Sequence, residues 1–277
     1  MVARIAGAIR LTHPFPSILD GVVSGSVAIL AGAVPFVGFE LGLAMTALQL
    51  GIGAINDVVD APRDTGHKPG KPIPAGLVSR PAGGLIGLAA FGLGLLLTFL
   101  VGPLAFGLAL VVIAIGLAYD LRLKGTAWSW LPFAIGIPML PVFGWAGATG
   151  GLTAMFAVLV PAAVTAGAAL AIANSLVDVD RDRDAGASSV AIALGEGRAR
   201  VLGIVLLGTI ALAAATSTFA FGGGPIATLI VGLLGCVPPV AAGLARHRDP
   251  GGRELAWTAQ AIGLGALAVA WIEAVAR

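Results

Sequence analysis

The stretch Asn56-Asp57-Val58-Val59-Asp60-Ala61-Pro62-Arg63-Asp64 closes an otherwise apolar run, and a second version follows at Asn174-Ser175-Leu176-Val177-Asp178-Val179-Asp180-Arg181-Asp182. Both reduce to Asn-x3-Asp-x3-Asp, with Asn56, Asp60 and Asp64 in the first copy and Asn174, Asp178 and Asp182 in the second. On a helix these are i, i+4 and i+8 positions, so each trio is expected to line one face. Asp57 joins the first face at i, i+3 and i+7 with Asp60 and Asp64, whereas Asp180 points to the side of the second and is expected to pair with a neighbouring arginine. The two faces are expected to meet across a cavity and hold a divalent metal, with Asn56, Asp57, Asp60, Asp64, Asn174, Asp178 and Asp182 as candidate ligands.

The rest of the chain explains why such clusters need a special role. Of 277 residues, 58% are hydrophobic and only 11% charged, and the mean hydropathy is +0.99. That is too apolar for a soluble domain of this size and indicates a polytopic membrane protein. A net charge of +2 is small and says little by itself, since the distribution of charge carries the information in a membrane protein, and nucleic acid is not an expected partner. The one cysteine, Cys236, lies in an apolar run and makes neither an internal disulfide nor a thiolate metal site. The basic N-terminal flank precedes a long apolar run without a cleavage site, which reads as a retained first span.

Nine segments are long and apolar enough to cross a bilayer, at about 15–34, 37–56, 82–101, 103–119, 129–148, 152–176, 199–221, 224–244 and 255–276. With nine spans and the N-terminus inside, every one of the 16 lysines and arginines except Arg277 falls on one side. The positive-inside rule makes that side cytoplasmic, in the inner or cytoplasmic membrane. The connections on this side, notably 57–81, 120–128 and 177–198, are the longer ones and carry the polar chemistry. Pro132, Pro138, Pro141, Pro161 and the Pro238-Pro239 pair are expected to kink or break their spans.

Carboxylates at a membrane helix end are costly unless cations, metal or water compensate them. Hard oxygen ligands without histidine or thiolate favour Mg2+, which keeps some water and is completed by substrate phosphate. Cations interleave with the acids: Arg63, Lys68 and Lys71 after the first motif, Arg122 and Lys124 between the motifs, and Arg181 and Arg183 within the second. Diphosphate suits metal and basic groups together, and an apolar cavity suits a hydrocarbon tail, so an allylic diphosphate has both parts. Ionisation of its carbon-oxygen bond leaves a carbocation for a nucleophile to capture where water is excluded.

These residues resemble the UbiA superfamily of intramembrane prenyltransferases. The first motif matches Asn-Asp-x2-Asp-x3-Asp in full, and Lys68-Pro69-Gly70-Lys71-Pro72-Ile73-Pro74-Ala75-Gly76 is similar to the family's basic-Pro-x-Pro-small-Gly segment. Tyr119 and Lys124 match Tyr-x4-Lys, and Asp178-x3-Asp182 continues into Gly186-Ala187-Ser188-Ser189-Val190-Ala191-Ile192-Ala193-Leu194-Gly195, similar to the family's Gly-x2-Ser-x-Ala-Ile-x2-Gly. The resemblance implies an all-α fold of nine transmembrane helices, two four-helix pseudo-repeats plus one around a central cavity, forming a single domain over 1–277. It implies Mg2+, an isoprenoid diphosphate and prenyl transfer to an aromatic or quinone-precursor acceptor, in a membrane-lipid environment. By resemblance Asp60, Asp64, Asp178, Asp182, Lys124 and Tyr119 are catalytic, while Arg63, Lys68, Lys71, Arg122, Arg181 and Arg183 hold diphosphate. Lys124 is followed by Gly125 where relatives that prenylate 4-hydroxybenzoate carry another basic residue, which weakens a benzoate acceptor. Asp20, Gln49 and Asn174 are the polar residues inside spans that can touch an acceptor or orient ligands, while Gln49 and Asn174 equally suit interhelical hydrogen bonds, the reading favoured for Gln49. His13 reads as an interfacial residue at the mouth of the first span with a weak claim to phosphate, His67 in the motif loop as a candidate diphosphate contact, and His247, between Arg246 and Arg248, as a headgroup-facing anchor. Trp128 and Trp130 read as interfacial belt residues.

Two other readings stand beside this one. A terpene cyclase would use the same ionisation and capture the cation with an internal double bond. A secondary transporter would place its charged residues near the midplane, whereas these gather at helix ends.

Overall fold

The computed structural model describes residues 2–66, 68–184, 186–244 and 249–276, so His67 and His247 lie outside the described residues. Among these there is helix and no strand. The helices are α1 (Val2–Leu11), α2 (Pro14–Leu30), α3 (Pro35–Asp64), α4 (Arg80–Val101), α5 (Pro103–Ala118), α6 (Leu131–Thr149) and α7 (Phe156–Val177). They continue with α8 (Val179–Asp184), α9 (Val190–Leu194), α10 (Glu196–Ala220), α11 (Gly224–Leu244) and α12 (Pro250–Val275). A five-residue π-turn, Tyr119–Leu123, follows α5.

Among the described residues, eight helices are long and apolar enough to cross a membrane, and α2 is a shorter apolar one, which matches the nine expected spans. The chain is an integral membrane protein. Several starts follow from proline, whose fixed φ and missing N–H suit the first turn: Pro14, Pro35, Pro103 and Pro250 each open a helix. Asp249 also caps α12, its side chain accepting from the Gly251 amide at 3.0 Å. The prolines expected to kink or break spans do not break them. Pro161 lies within α7 and Pro238 and Pro239 within α11, each helix continuing past them. Helix α3 runs on through Pro62 to Asp64, so the first motif is helical to its last residue.

The chain folds as two compact units. The first comprises Met1–Arg122 with Leu140–Gly151, the second Leu123–Met139 with Leu152–Arg277. In the first unit α2 and α3 run antiparallel in close contact. A Cβ at Gly21 would stand 1.9 Å from the Thr46 hydroxyl oxygen and 2.5 Å from the Gly42 carbonyl, so only glycine permits this approach. In the second unit, Ile172, Val179, Val190, Ala191 and Ala199 form a buried cluster that holds the short helices α8 and α9 on α7 and α10.

Candidate active site

In the first unit the acidic face is real and buried. Asp57, Asp60 and Asp64 are 2%, 6% and 5% exposed, so each needs a partner or a metal. Lys71 supplies the main one: its Nζ lies 2.5 Å from Asp57 Oδ1 and 3.2 Å from Asp64 Oδ2. Lys68 Nζ stands 3.8 Å from Asp64 Oδ1. Burial works against the Lys71 ammonium, but the carboxylates of Asp57, Asp64 and Asp60 outweigh it and hold its pKa above the ordinary lysine value.

The loop after α3 is folded to deliver that ammonium. The Pro72 carbonyl accepts from the Leu77 and Val78 amides at 3.0 and 3.3 Å, and the Ala75 amide donates to the Lys71 carbonyl at 2.9 Å. Arg10, from α1, donates to the Gly70 carbonyl at 2.8 Å. Proline-rich sequence here makes a compact turn rather than a free connection.

Two residues of this cluster were not among the sequence-assigned ligands. His13 Nε2 lies 3.1 Å from Asp57 Oδ1. It is the only non-glycine residue with positive φ among those described, at φ 49°, where it separates α1 from α2. Asp120, buried on the π-turn, accepts from the Asn56 amide at 2.5 Å. Asn56 therefore spends its amide nitrogen on Asp120 and can reach a metal only through its carbonyl oxygen. The sequence signal for Asp120 was an acid beside Tyr119 in a connection otherwise carrying Arg122 and Lys124.

Tyr119, predicted to be catalytic, lies half-buried on the π-turn, and Lys124 is half-buried just beyond it. Arg63 and Arg122 are exposed.

The second motif departs from its expected single face. Helix α7, with half-buried Asn174, ends at Val177, Asp178 adopts φ −99° and ψ 9°, and Asp182 belongs to the separate helix α8. The chain is broken at Asp178, whose carbonyl then accepts from the Asp182 amide at 2.8 Å as the first turn of α8. The acids here are met by arginines. Arg181 pairs with Asp178 at 2.7 Å, and Asp180 with Arg253 of α12 at 2.6 Å and Arg183 at 3.4 Å. Arg183 also pairs with Glu196, which holds Arg200 at 3.2 Å. Thus the expected Asp180–arginine pairing is present, and Arg181 and Arg183, the second-motif arginines assigned to diphosphate, already have carboxylate partners. The hydrogen bond from Arg253 opposes desolvation and holds Asp180 below its ordinary carboxylate value, while Glu196 raises Arg183 above its own. The Ser129 and Ser175 hydroxyls receive the Val190 and Ala191 amides at 3.3 and 3.1 Å, fixing the start of α9.

Among the described residues no three carboxylate, histidine or cysteine groups converge into a preformed metal cage. The donor chemistry nevertheless fits Mg2+, which is usually held by one or two carboxylates and completed by water and substrate phosphate. Lys71, between Asp57 and Asp64, marks a place where a cation is held, and buried Asp64 Oδ2 has no hydrogen-bond donor aligned on it.

Among known proteins, the model of the UbiA prenyltransferase family matches residues 21–261. A digeranylgeranylglyceryl phosphate synthase of Methanoregula boonei is 32% identical over 166 residues, 58% of this chain and 58% of that protein. The match thus spans less than two thirds of that relative's length. A solved UbiA homolog from Archaeoglobus fulgidus, bound to GPP and Mg2+, has a TM-score of 0.71 at 20% identity, covering 97% of this chain and 99% of its own. The apo UbiA homolog of Aeropyrum pernix K1 gives 0.72 at 19% identity over 90% and 96%. At such identities the structural likeness concerns the fold.

Proposed function

The chain belongs to the UbiA prenyltransferase family, and on that premise we propose that it is a Mg2+-dependent prenyltransferase acting, as a single catalytic domain, on an isoprenoid diphosphate. The observation that carries this reading is the buried trio Asp57, Asp60 and Asp64 with Lys71 bridging two of its members. Asp60 and Asp64, with Asp57 and the Asn56 carbonyl oxygen, would hold the metal in the first half of the site. Asn174, Asp178 and Asp182 would serve the second, a role supported by their matched spacing in sequence. Bound Mg2+ supplies Lewis-acid pull on the leaving diphosphate oxygen. Lys71 and Lys68 neutralise phosphate oxygens, and Arg63, Arg122, Lys124, Tyr119, Arg181 and Arg183 are the further diphosphate-binding and catalytic groups we assign. Arg181 and Arg183 would exchange carboxylate partners for phosphate. The motif loops face the cytoplasm in this reading, as the distribution of lysine and arginine supports.

The sequence alone favoured an aromatic or quinone-precursor acceptor. The name of the M. boonei relative supports a second reading, a glyceryl phosphate lipid acceptor for this chain. Reconstituted protein with geranylgeranyl diphosphate, Mg2+ and either geranylgeranylglyceryl phosphate or 4-hydroxybenzoate separates the two by product. A cyclic hydrocarbon formed without acceptor would establish the cyclase reading instead. Asp60→Ala and Asp182→Ala are each expected to abolish diphosphate release in a folded protein; near-normal turnover in either overturns the metal assignment.

A further inference from the structure

Helix α2 turns Phe15, Ile18, Val22 and Ile29 outward, all exposed. At 3.6 residues per turn these fall within an arc of about 60°, and Asp20 lies about 170° from its middle. Asp20 is therefore on the face turned away from lipid, near buried Ser17 and Ser24, yet it remains half-buried rather than sealed. No described residue hydrogen-bonds or ion-pairs with its carboxylate. An intramembrane acid in that state is costly and marks function.

Register shows where Asp20 stands. Asp20 follows His13, the N-cap of α2, by seven positions, close to two turns, so the two share a face, with Asp20 roughly 10 Å deeper than the His13–Asp57 contact. Helix α3 runs antiparallel beside it. Gly53 meets Thr12 and His13, and Gly21 meets Gly42 and Thr46, so Gln49 lies between these contacts at the level of Ser17, about one turn nearer the acids than Asp20. Gln49 also belongs to the acidic stripe of α3, seven residues before Asn56 and eleven before Asp60. Its amide is half-buried, and its hydrogen-bond contact is the Met45 sulfur at 4.0 Å, a weak acceptor. A polar track thus leads inward from the acids to a carboxylate and an amide inside the membrane.

We propose that Asp20 and Gln49 form the subsite for the acceptor's nucleophilic group. This rests on the prenyltransferase reading. Gln49 hydrogen-bonds the acceptor hydroxyl, and Asp20 takes its proton. The donor's carbon-oxygen bond breaks with its electron pair leaving on diphosphate, and the acceptor oxygen forms the new bond to the allylic carbon. The proton goes to the Asp20 carboxylate and then to water. No oxidant or reductant is needed. The ligand class is a membrane-soluble molecule with one hydroxyl nucleophile, placed inward of the diphosphate.

The test uses the full chain in lipid, with geranylgeranyl diphosphate, Mg2+ and whichever of geranylgeranylglyceryl phosphate or 4-hydroxybenzoate the unmodified protein prenylates. Coupled product and prenyl alcohol are measured separately. Asp20→Asn is expected to lower coupled product about 100-fold, the scale of a lost general base, while diphosphate release with water capture and donor KM stay within about threefold. Asp20→Glu is expected to restore at least about a tenth of the coupled rate. Gln49→Leu is expected to raise acceptor KM about 10-fold and leave donor KM in place, the signature of a lost acceptor hydrogen bond. Unchanged coupling in Asp20→Asn, or equal loss of donor binding and coupling, overturns the subsite. Failure of the unmodified protein to release diphosphate overturns the prenyltransferase reading itself.

Discussion

The Asn56 amide donates to the Asp120 carboxylate at 2.5 Å, joining the acidic helix to the π-turn that carries Tyr119. The bond fixes which end of the Asn56 amide faces away from Asp120. Removing it takes away the acceptor that orients the Asn56 amide. Asp120→Ala is expected to raise the Mg2+ concentration for half-maximal activity about 10-fold, as outer-shell partners of metal ligands do, with a smaller effect on kcat. A Mg2+ titration of purified protein checks this, and an unchanged midpoint would assign Asp120 to packing.

Lys71 touches Asp57 and Asp64 at once, so its loss removes diphosphate countercharge and leaves two buried acids exposed to mutual repulsion. Lys71→Ala is expected to raise donor KM about 10- to 100-fold, the range for losing a charged hydrogen bond of about 1.5–3 kcal/mol. Initial rates over a donor concentration series measure it.

The pH dependence of that contact has a definite sign. The folded pKa of Lys71 is raised above the ordinary 10.5, so its stabilising contribution is fully present below that value and is lost as pH rises through the folded one. The difference in melting temperature between unmodified protein and Lys71→Ala is expected to stay level through the neutral range and to narrow only above about pH 10.5. Thermal unfolding across pH in one detergent tests it.

In the second unit, Arg253 is 6% exposed and its partner Asp180 is 58% exposed, so α8 is tied down from inside the fold. Arg253→Met is expected to speed proteolysis and hydrogen exchange around residues 179–184 without melting α12. Asp180 has a lowered folded pKa, so its share of the stability exists above the ordinary carboxylate value of 3.8 and is lost as pH falls through the folded one. The difference from Arg253→Met is therefore expected to persist at pH 5 and to close in stronger acid.

The spans and the first motif were legible because each depends on local sequence. Apolar runs punctuated by Pro35, Pro103 and Pro250 define helix starts, and i, i+4 spacing held because α3 continues through Pro62. The second motif was only half legible. Its spacing promised one face, but Asp178 leaves the helical region and starts α8 anew, a backbone event that residue spacing does not encode. His13, Asp120 and Arg253 escaped because their partners are 44, 64 and 73 residues distant, contacts set by packing and not by pattern.

His13 holds a backbone conformation that favours glycine, and it holds it where its imidazole meets Asp57. Glycine at that corner would relax the chain and silence the contact together. His13→Gly is thus a way to ask whether this protein has traded durability for speed: the substituted protein should survive heating longer and turn over more slowly.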